Sequence, residues 1–308
     1  MNGDYLIPAL LTIITAATPL LFAALGELIT EKAGVLNLGI EGMMLIGAIC
    51  GFATVHFTGS ATLACLAALA AGALMALIFA LLTLSLQASQ VATGLALTIF
   101  GVGFSALIGQ SMVGIDYAGL PKLAIPLLSK IPGIGPLLFQ QDILVYLSFL
   151  SLFGVSFFLY HSRAGLILRA VGDSHDAAHA IGYPVIRIRY FATLFGGAMA
   201  GLAGGYLSLA YSPMWVENMS SGRGWIALAL VVFASWRPGR VLLGAYLFGG
   251  ISILQLHAQA IGIDIPSQMM SMLPYLATIV VLVMISRDRN KVKLNAPACI
   301  GRPFHPDS

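Results

Sequence analysis

The sequence predicts an all-α, polytopic transmembrane bundle of about nine spans, with its N-terminus outside and its C-terminus in the cytoplasm. Three observations carry that prediction: the composition, a recurring run of apolar residues, and a lopsided placement of the basic side chains. Of the 308 residues, 59% are hydrophobic and 9% are charged, and the mean hydropathy is +0.94. A soluble globule carries about 25% charged residues, so a water-soluble fold is excluded. The net charge of +3 says less about partners than the distribution of the charges does.

A membrane-spanning helix needs roughly 20 apolar residues. Nine candidate runs occur, at 6–26, 38–57, 61–86, 91–112, 143–160, 190–211, 224–236, 241–260 and 269–286. The seventh is short, so it is either a half-helix buried in protein or a span that begins further upstream. The N-terminal MNGDY lacks the basic region of a cleaved signal peptide, which makes the first run a retained span. Residues 1–286 thus form one membrane domain, and 287–308 form a cytoplasmic tail.

Orientation follows from the basic residues. With the charged loop after the fifth span in the cytoplasm, alternation places Lys32, Arg163, Arg169, Arg187, Arg189, Arg237, Arg240, Arg287, Arg289, Lys291, Lys293 and Arg302 inside. Only Lys122, Lys130 and Arg223 fall outside. The Pro- and Gly-rich connection 113–142 then becomes the largest external loop.

That charged loop, SRAGLILRAVGDSHDAAHAIGYPVIRIR at 162–189, is the most informative stretch. It holds Arg163, Arg169, Asp173, Asp176, Arg187 and Arg189. Each charge at a bilayer centre costs roughly 2.5–3.5 kcal/mol, so the whole stretch is expected in water. Asp173 and Ser174 are N-cap residues, DAAHAI suits a short helix, and Gly182-Tyr183-Pro184 stops it. The expectation is one short helix lying across the membrane face. His175 and His179 stand four apart, but a solvated helix face explains them better than a metal site does.

Helix packing is written in small residues. Ala64, Ala68, Gly72, Ala76 and Ala80 recur every fourth position, and Gly196, Ala200, Gly204 and Gly197, Gly201, Gly205 form two neighbouring rows. Such rows let backbones approach closely in lipid. Between the first two runs, Gly26 to Ala48 holds Glu27, Glu31, Lys32, Asn37 and Glu41 among glycines. Gly34 and Gly39 favour a broken helix, which reads either as a gate beside a substrate path or as a tight cytoplasmic turn with an internal Glu–Lys pair.

Signatures of catalysis are missing. There is no HExxH, GxSxG or CxxC motif, and no GxxxxGK[ST] with which to hydrolyse ATP. Cys50, Cys65 and Cys299 have no metal-ligand spacing, and Cys50 and Cys65, which fall in apolar helices, read as small core residues. Any ATP and Mg used in transport belong to another polypeptide, so this chain is expected to hold no cofactor and to do no enzymatic chemistry. Nothing points to nucleic acid as a partner. Tyr211, Trp215, Glu217, Asn218, Arg223 and Trp225 cluster on the side expected to be external. Aromatics beside hydrogen-bonding groups suit a sugar or nucleoside, and they also serve as interfacial anchors. Asn37, Glu41, Asn218, Arg223 and Trp225 are the candidate residues of a translocation path.

Three stretches together resemble the membrane-spanning permease subunits of ATP-binding-cassette importers, in the branch that includes branched-chain amino acid, ribose and nucleoside systems. They are GVLNLGIEGMMLIGA (34–48), LRAVGDSHDAAHAIGYPVIRIRY (168–190) and VENMSSGRGWIALALVVFASWRPGR (216–240). The first and third are more similar to the simple-sugar and purine-nucleoside branch. The resemblance implies that Arg169, Gly172, Asp173, Ala177, Ala178 and Gly182 belong to a coupling segment docking into a cleft of an ATPase subunit. Where relatives often have Asn-Pro and a basic residue, this chain has Ser174, His175 and Asp176. It further implies a second permease chain, identical or related, an extracytoplasmic solute-binding protein, a small polar solute and a place in the cell membrane. The competing reading is an ion-coupled secondary transporter that uses Glu41 or Glu27.

Overall fold

The computed structural model describes residues 3–123, 134–260 and 295–305, with isolated positions between 124 and 133 and between 269 and 283. Most of the ninth expected span, Lys130, and Arg287, Arg289, Lys291 and Lys293 of the tail lie outside the described residues.

The first helix, α1, runs Gly3–Lys32, and the chain then breaks before α2 (Ile40–Thr58). Gly34 supplies the left-handed residue of that break, with φ of +83°, a conformation costly for any residue carrying a Cβ. A second turn joins α2 to α3 (Ala61–Ala80). Gly59 closes α2 in the left-handed conformation and Ser60 caps α3 by accepting from the Leu63 N–H. So short a connection makes the two helices antiparallel neighbours. After a wider turn at Leu81–Ser85, Ser89 caps α4 (Gln90–Gly109), which tightens at Gln110–Met112.

A short helix α5 (Ile134–Phe139) precedes α6 (Ile143–His161), whose N-terminus is capped by Asp142 accepting from Leu144 and Val145 at 2.9 and 3.0 Å. The charged loop follows as two helices, α7 (Arg163–Asp173) and α8 (His175–Ala180), where one was expected. Ser162 caps the first and Ser174 the second. Next come α9 (Val185–Tyr206), which widens over Leu207–Tyr211, the short α10 (Arg223–Phe233) and α11 (Pro238–Ala260).

Among the described residues, six helical stretches are long and apolar enough to cross a membrane, and burial sorts them into two classes. Over their most apolar 18 residues, Val185–Tyr211, Ile40–Thr58 and Ile7–Lys32 are 83%, 72% and 61% buried and form the centre, whereas Ala61–Ser85, Gln90–Met112 and Ile143–His161 are each 33% buried. The outer three turn side chains such as Leu66, Ile99 and Phe153 outward, as contact with hydrocarbon requires. The described residues account for eight of the nine expected runs as helices, and the seventh, α10, is too short to cross.

Helix α9 is the hub, packing on α1, α2 and α3. Its two small-residue rows divide the task. Gly197 and Gly201 meet Gly72 and Ala68 of α3 backbone to backbone, while Gly196 meets Thr30 of α1 and Gly204 meets Met44 of α2. A Cβ at Gly72 or Gly201 would overlap the facing backbone, so the close approach depends on glycine there.

The bundle has two ends. At one lie the α1–α2 break, α7, α8 and residues 295–305. At the other lie the α2–α3 turn and an extended strap. In the strap, Tyr117 N–H donates to Pro213 O and Leu120 N–H to Leu209 O, beside isolated bridges of Val113 with Trp215 and Asp116 with Met214.

Candidate translocation site and coupling element

The chain leaves α9 at Tyr211, at the strap end, and does not stay there. Asn218, Ser221 and Gly222 take φ values of +53°, +48° and +82° and turn it back into the bundle. Left-handed non-glycine residues cluster at functional sites. The return ends at Glu41, in the first turn of α2. Its Oε1 accepts from Ser220 Oγ at 2.5 Å and from the Gly222 N–H at 2.7 Å, and its Oε2 accepts from the Gly224 N–H at 2.6 Å. A carboxylate of one helix thereby caps the N-terminus of another, where orphan N–H groups and the helix dipole both favour negative charge. Gly224 leaves room for this, since a Cβ there would lie 2.7 Å from the Glu41 Cα.

The depth of the contact follows from α2. Ala48 O accepts from Ser208 Oγ of α9, and Glu41 lies two helical turns, roughly 10 Å, from that level toward the α7–α8 end. The stretch 211–225 was expected to lie wholly on the external side. From Ser220 onward it instead enters the bundle, and Ser220 is fully buried. The short seventh run is a half-helix starting inside the bundle. Broken backbone at that depth is tolerated only against protein or a wet cavity, and discontinuous helices of this kind form transporter binding sites.

Polar groups gather on the open side of the break. The Arg223 guanidinium lies 5.1 Å from the Tyr211 ring centroid and donates through Nη1 to the Met219 and Ser220 carbonyls at 3.2 Å. Asn218 and Ser221 are exposed beside them, and Arg223 and Tyr211 are half-buried. Trp225 packs against the core with part of its surface free. The remaining two candidates do not line this surface. Glu41 lies beneath it with its carboxylate engaged. Asn37 is fully buried in the α1–α2 break, its Oδ1 accepting from the Gly39 N–H at 3.0 Å and its own N–H donating to Glu27 Oε1 at 3.3 Å.

The expected Glu–Lys pair in that break is not formed. Glu31 Oε2 accepts from Trp236 Nε1 of the α10–α11 connection at 2.5 Å, and Lys32 Nζ donates to Asn295 O at 2.6 Å. Each side chain finds a partner distant in sequence because the break folds against α10 and the tail.

The charged stretch 162–189 also departs from its expected form. Arg189 is not in water. It is 1% exposed, and its guanidinium donates to Ala33 O at 3.1 Å and Arg302 O at 3.0 Å and meets His175 Nδ1 at 3.2 Å. His175 is buried as well, not part of a solvated face. Its Nε2 lies 3.3 Å from Asp176, so the neutral ring donates from Nε2 and accepts from Arg189 at Nδ1. Burial, then the Arg189 guanidinium, hold the His175 pKa below its ordinary value. Among the described residues no group of three His, Cys, Asp or Glu side chains is placed to hold a metal ion.

Of the six implied coupling residues, Asp173, Ala177 and Gly182 face outward. Gly172 is pressed against the Lys32 carbonyl, Ala178 is buried with Val171, Val185 and Phe304, and Arg169 lies 5.4 Å from the Tyr160 ring centroid with its Nε buried. The most prominent apolar group on the outer surface of this element is Ile181, 72% exposed at the end of α8.

The family described as branched-chain amino acid transport system, permease component, matches residues 9–285. The chain belongs to that family. The permease is 41% identical over 314 residues, covering 95% of both chains, to a putative glucose ABC transporter permease, TsgC13, of Haloferax volcanii. It is 35% identical over 294 residues, 90% of both chains, to the guanosine ABC transporter permease NupQ of Bacillus subtilis. With the nucleoside ABC transporter permease NupC of Lactococcus lactis it shares 32% over 282 residues, 87% of this chain and 89% of that one. No solved structure matches. The permease is thus a multi-pass cell-membrane subunit of an ABC transporter whose ATPase is a separate chain, and it is not itself an enzyme.

Two features of the permease escape a reading of local sequence. Arg189 groups there with its charged neighbours, yet Val185, Arg189, Ala192 and Gly196 are spaced four, three and four apart, the stripe of a helix face turned inward. Ile181 stands out as a bulky apolar residue in a polar stretch. Both signals are present in the chain.

Proposed function

We propose that this permease imports a small hydroxylated ring solute, a nucleoside or a simple sugar, past the break between α9 and α10. The observation that carries the reading is the half-helix held by Glu41, which presents Asn218, Ser221, Arg223 and Tyr211 on one open surface inside the bundle. Hydrogen-bonding groups beside an aromatic ring suit such a solute, and the names of the relatives, glucose, guanosine and nucleoside permeases, support the same class. The ion-coupled alternative through Glu41 is disfavoured because both of its carboxylate oxygens are occupied by donors at and just before the start of α10.

In this reading the chain crosses the membrane about nine times, the seventh time through the buried stretch before α10 together with α10 itself, N-terminus outside, with α7, α8 and the tail in the cytoplasm, as the excess of basic residues at that end supports. A second permease chain closes the open side of the break. An ATPase subunit binding ATP and Mg docks on the outer surface of α7 and α8, and an extracytoplasmic binding protein delivers solute to the strap end. Transport is a population shift between inward- and outward-open states.

The deciding experiment is uptake of labelled guanosine and labelled glucose into proteoliposomes holding the purified complex, with ATP supplied on the ATPase side. ATP-dependent uptake of either, lost in Arg223→Ala and Asn218→Ala while both variants stay folded, is the expected result. Uptake that persists without ATP and collapses with an ionophore would overturn it.

A further inference from the structure

We propose that residues 295–305 and Arg189 form a mechanical link between α8 and the α1–α2 break, so that the tail is a working part of the coupling machinery. The link rests on the reading of α7 and α8 as the ATPase contact.

The tail lies between two backbones and bonds to both. The Cys299 N–H donates to Gly172 O of α7 at 2.9 Å, and two residues later the Gly301 N–H donates to Gly34 O of the break at 3.1 Å. Lys32 Nζ holds the start of this stretch through Asn295 O. Phe304 closes its end. The ring sits edge-on to both His175 and His179, with centroids 5.3 Å from each, in the apolar cluster of Val171, Ala178 and Val185.

Arg189 completes the junction from α9. Its three nitrogens reach the break at Ala33, the tail at Arg302 and α8 at His175. A buried guanidinium released from any of these partners is left under-satisfied. The break, the tail and α8 therefore move as one body. Displacement of α8 by a docked ATPase reaches Ala33 and Gly34, and a few residues on it reaches Glu41, which holds α10 at the candidate site. Arg189 and Phe304 act as positioning residues. They touch no solute.

The test uses the complete transporter in proteoliposomes and reads two quantities, the ATPase retained on the complex and the solute taken up per ATP hydrolysed. Phe304→Ala and deletion of 295–308 are compared with Phe304→Leu, which restores an apolar plug. Expected are retained ATPase and continued hydrolysis in the first two, with uptake per ATP lowered about tenfold, and recovery in Phe304→Leu. An unchanged ratio in Phe304→Ala overturns the link. So does loss of the ATPase with a proportional loss of uptake, because the tail then serves only folding or docking. A wild-type chain that retains no ATPase overturns the docking reading and the link with it.

Discussion

Glu41 is a side chain whose part in the molecule becomes readable only from its partners. An acidic residue in an apolar run suggests an ion carrier, but its oxygens cap α10 and accept from Ser220. Glu41→Ala leaves buried donors without an acceptor, at about 1–3 kcal/mol for each, so the melting temperature in detergent and the uptake should both fall. Glu41→Gln, which keeps one acceptor oxygen, should lie between. An alanine variant that melts like wild type would show that Glu41 does not hold α10 in place. His175 gives a pH dependence. Because burial and Arg189 lower its folded pKa, the neutral ring stabilises the docked α8 above the unfolded value of about 6.5. That contribution is lost as pH falls below it and through the lowered folded value. Amide exchange of 175–180, corrected for intrinsic rates, should quicken relative to the bundle on acidification, and His175→Gln should flatten the change. Local sequence puts His175 on a solvated face because only its own short helix is visible there. Its partners, Arg189 and Phe304, lie 14 and 129 positions away.

Among the elements, the small-residue rows are legible in the sequence alone, since a four-residue repeat of glycine and alanine has one physical use in lipid. Gly201→Val puts a branched side chain into the α3 backbone. Overpacking typically costs 1–3 kcal/mol, and with backbone as the obstacle the cost should reach at least about the upper figure. The yield of monodisperse protein after solubilisation should drop sharply. For α8 the structure separates two neighbours that the sequence treats alike. Ala178→Glu buries a charge beside Phe304 and should unfold the segment, whereas Ala177→Glu and Ile181→Glu alter only the outer surface. Co-purification of the ATPase should be lost in the latter two with the melting temperature unchanged. Retention of the ATPase by both would place its contact elsewhere. The half-helix α10 is visible in the sequence as a run too short to span, but its depth is not, because the acceptor that caps it belongs to Glu41, about 180 positions earlier in the chain.

At the scale of the whole molecule, the asymmetry of basic residues makes a prediction that single cysteines can check. After replacing Cys50, Cys65 and Cys299, Asp176→Cys should react with a membrane-impermeant maleimide only in inside-out vesicles and Asp116→Cys only in right-side-out ones. The reverse labelling would invert the assigned orientation. Composition and the spacing of apolar runs determined by themselves that this is a helical membrane protein, and three motifs determined its family, because hydrocarbon leaves the backbone few options and imposes a readable length and period. What only the tertiary structure decided are the contacts between elements far apart in sequence: Glu41 with Gly222, Glu31 with Trp236, Arg189 with Ala33 and Arg302. A buried polar group must find a partner. Which partner it finds depends on how helices pack, and no local pattern in the chain records that.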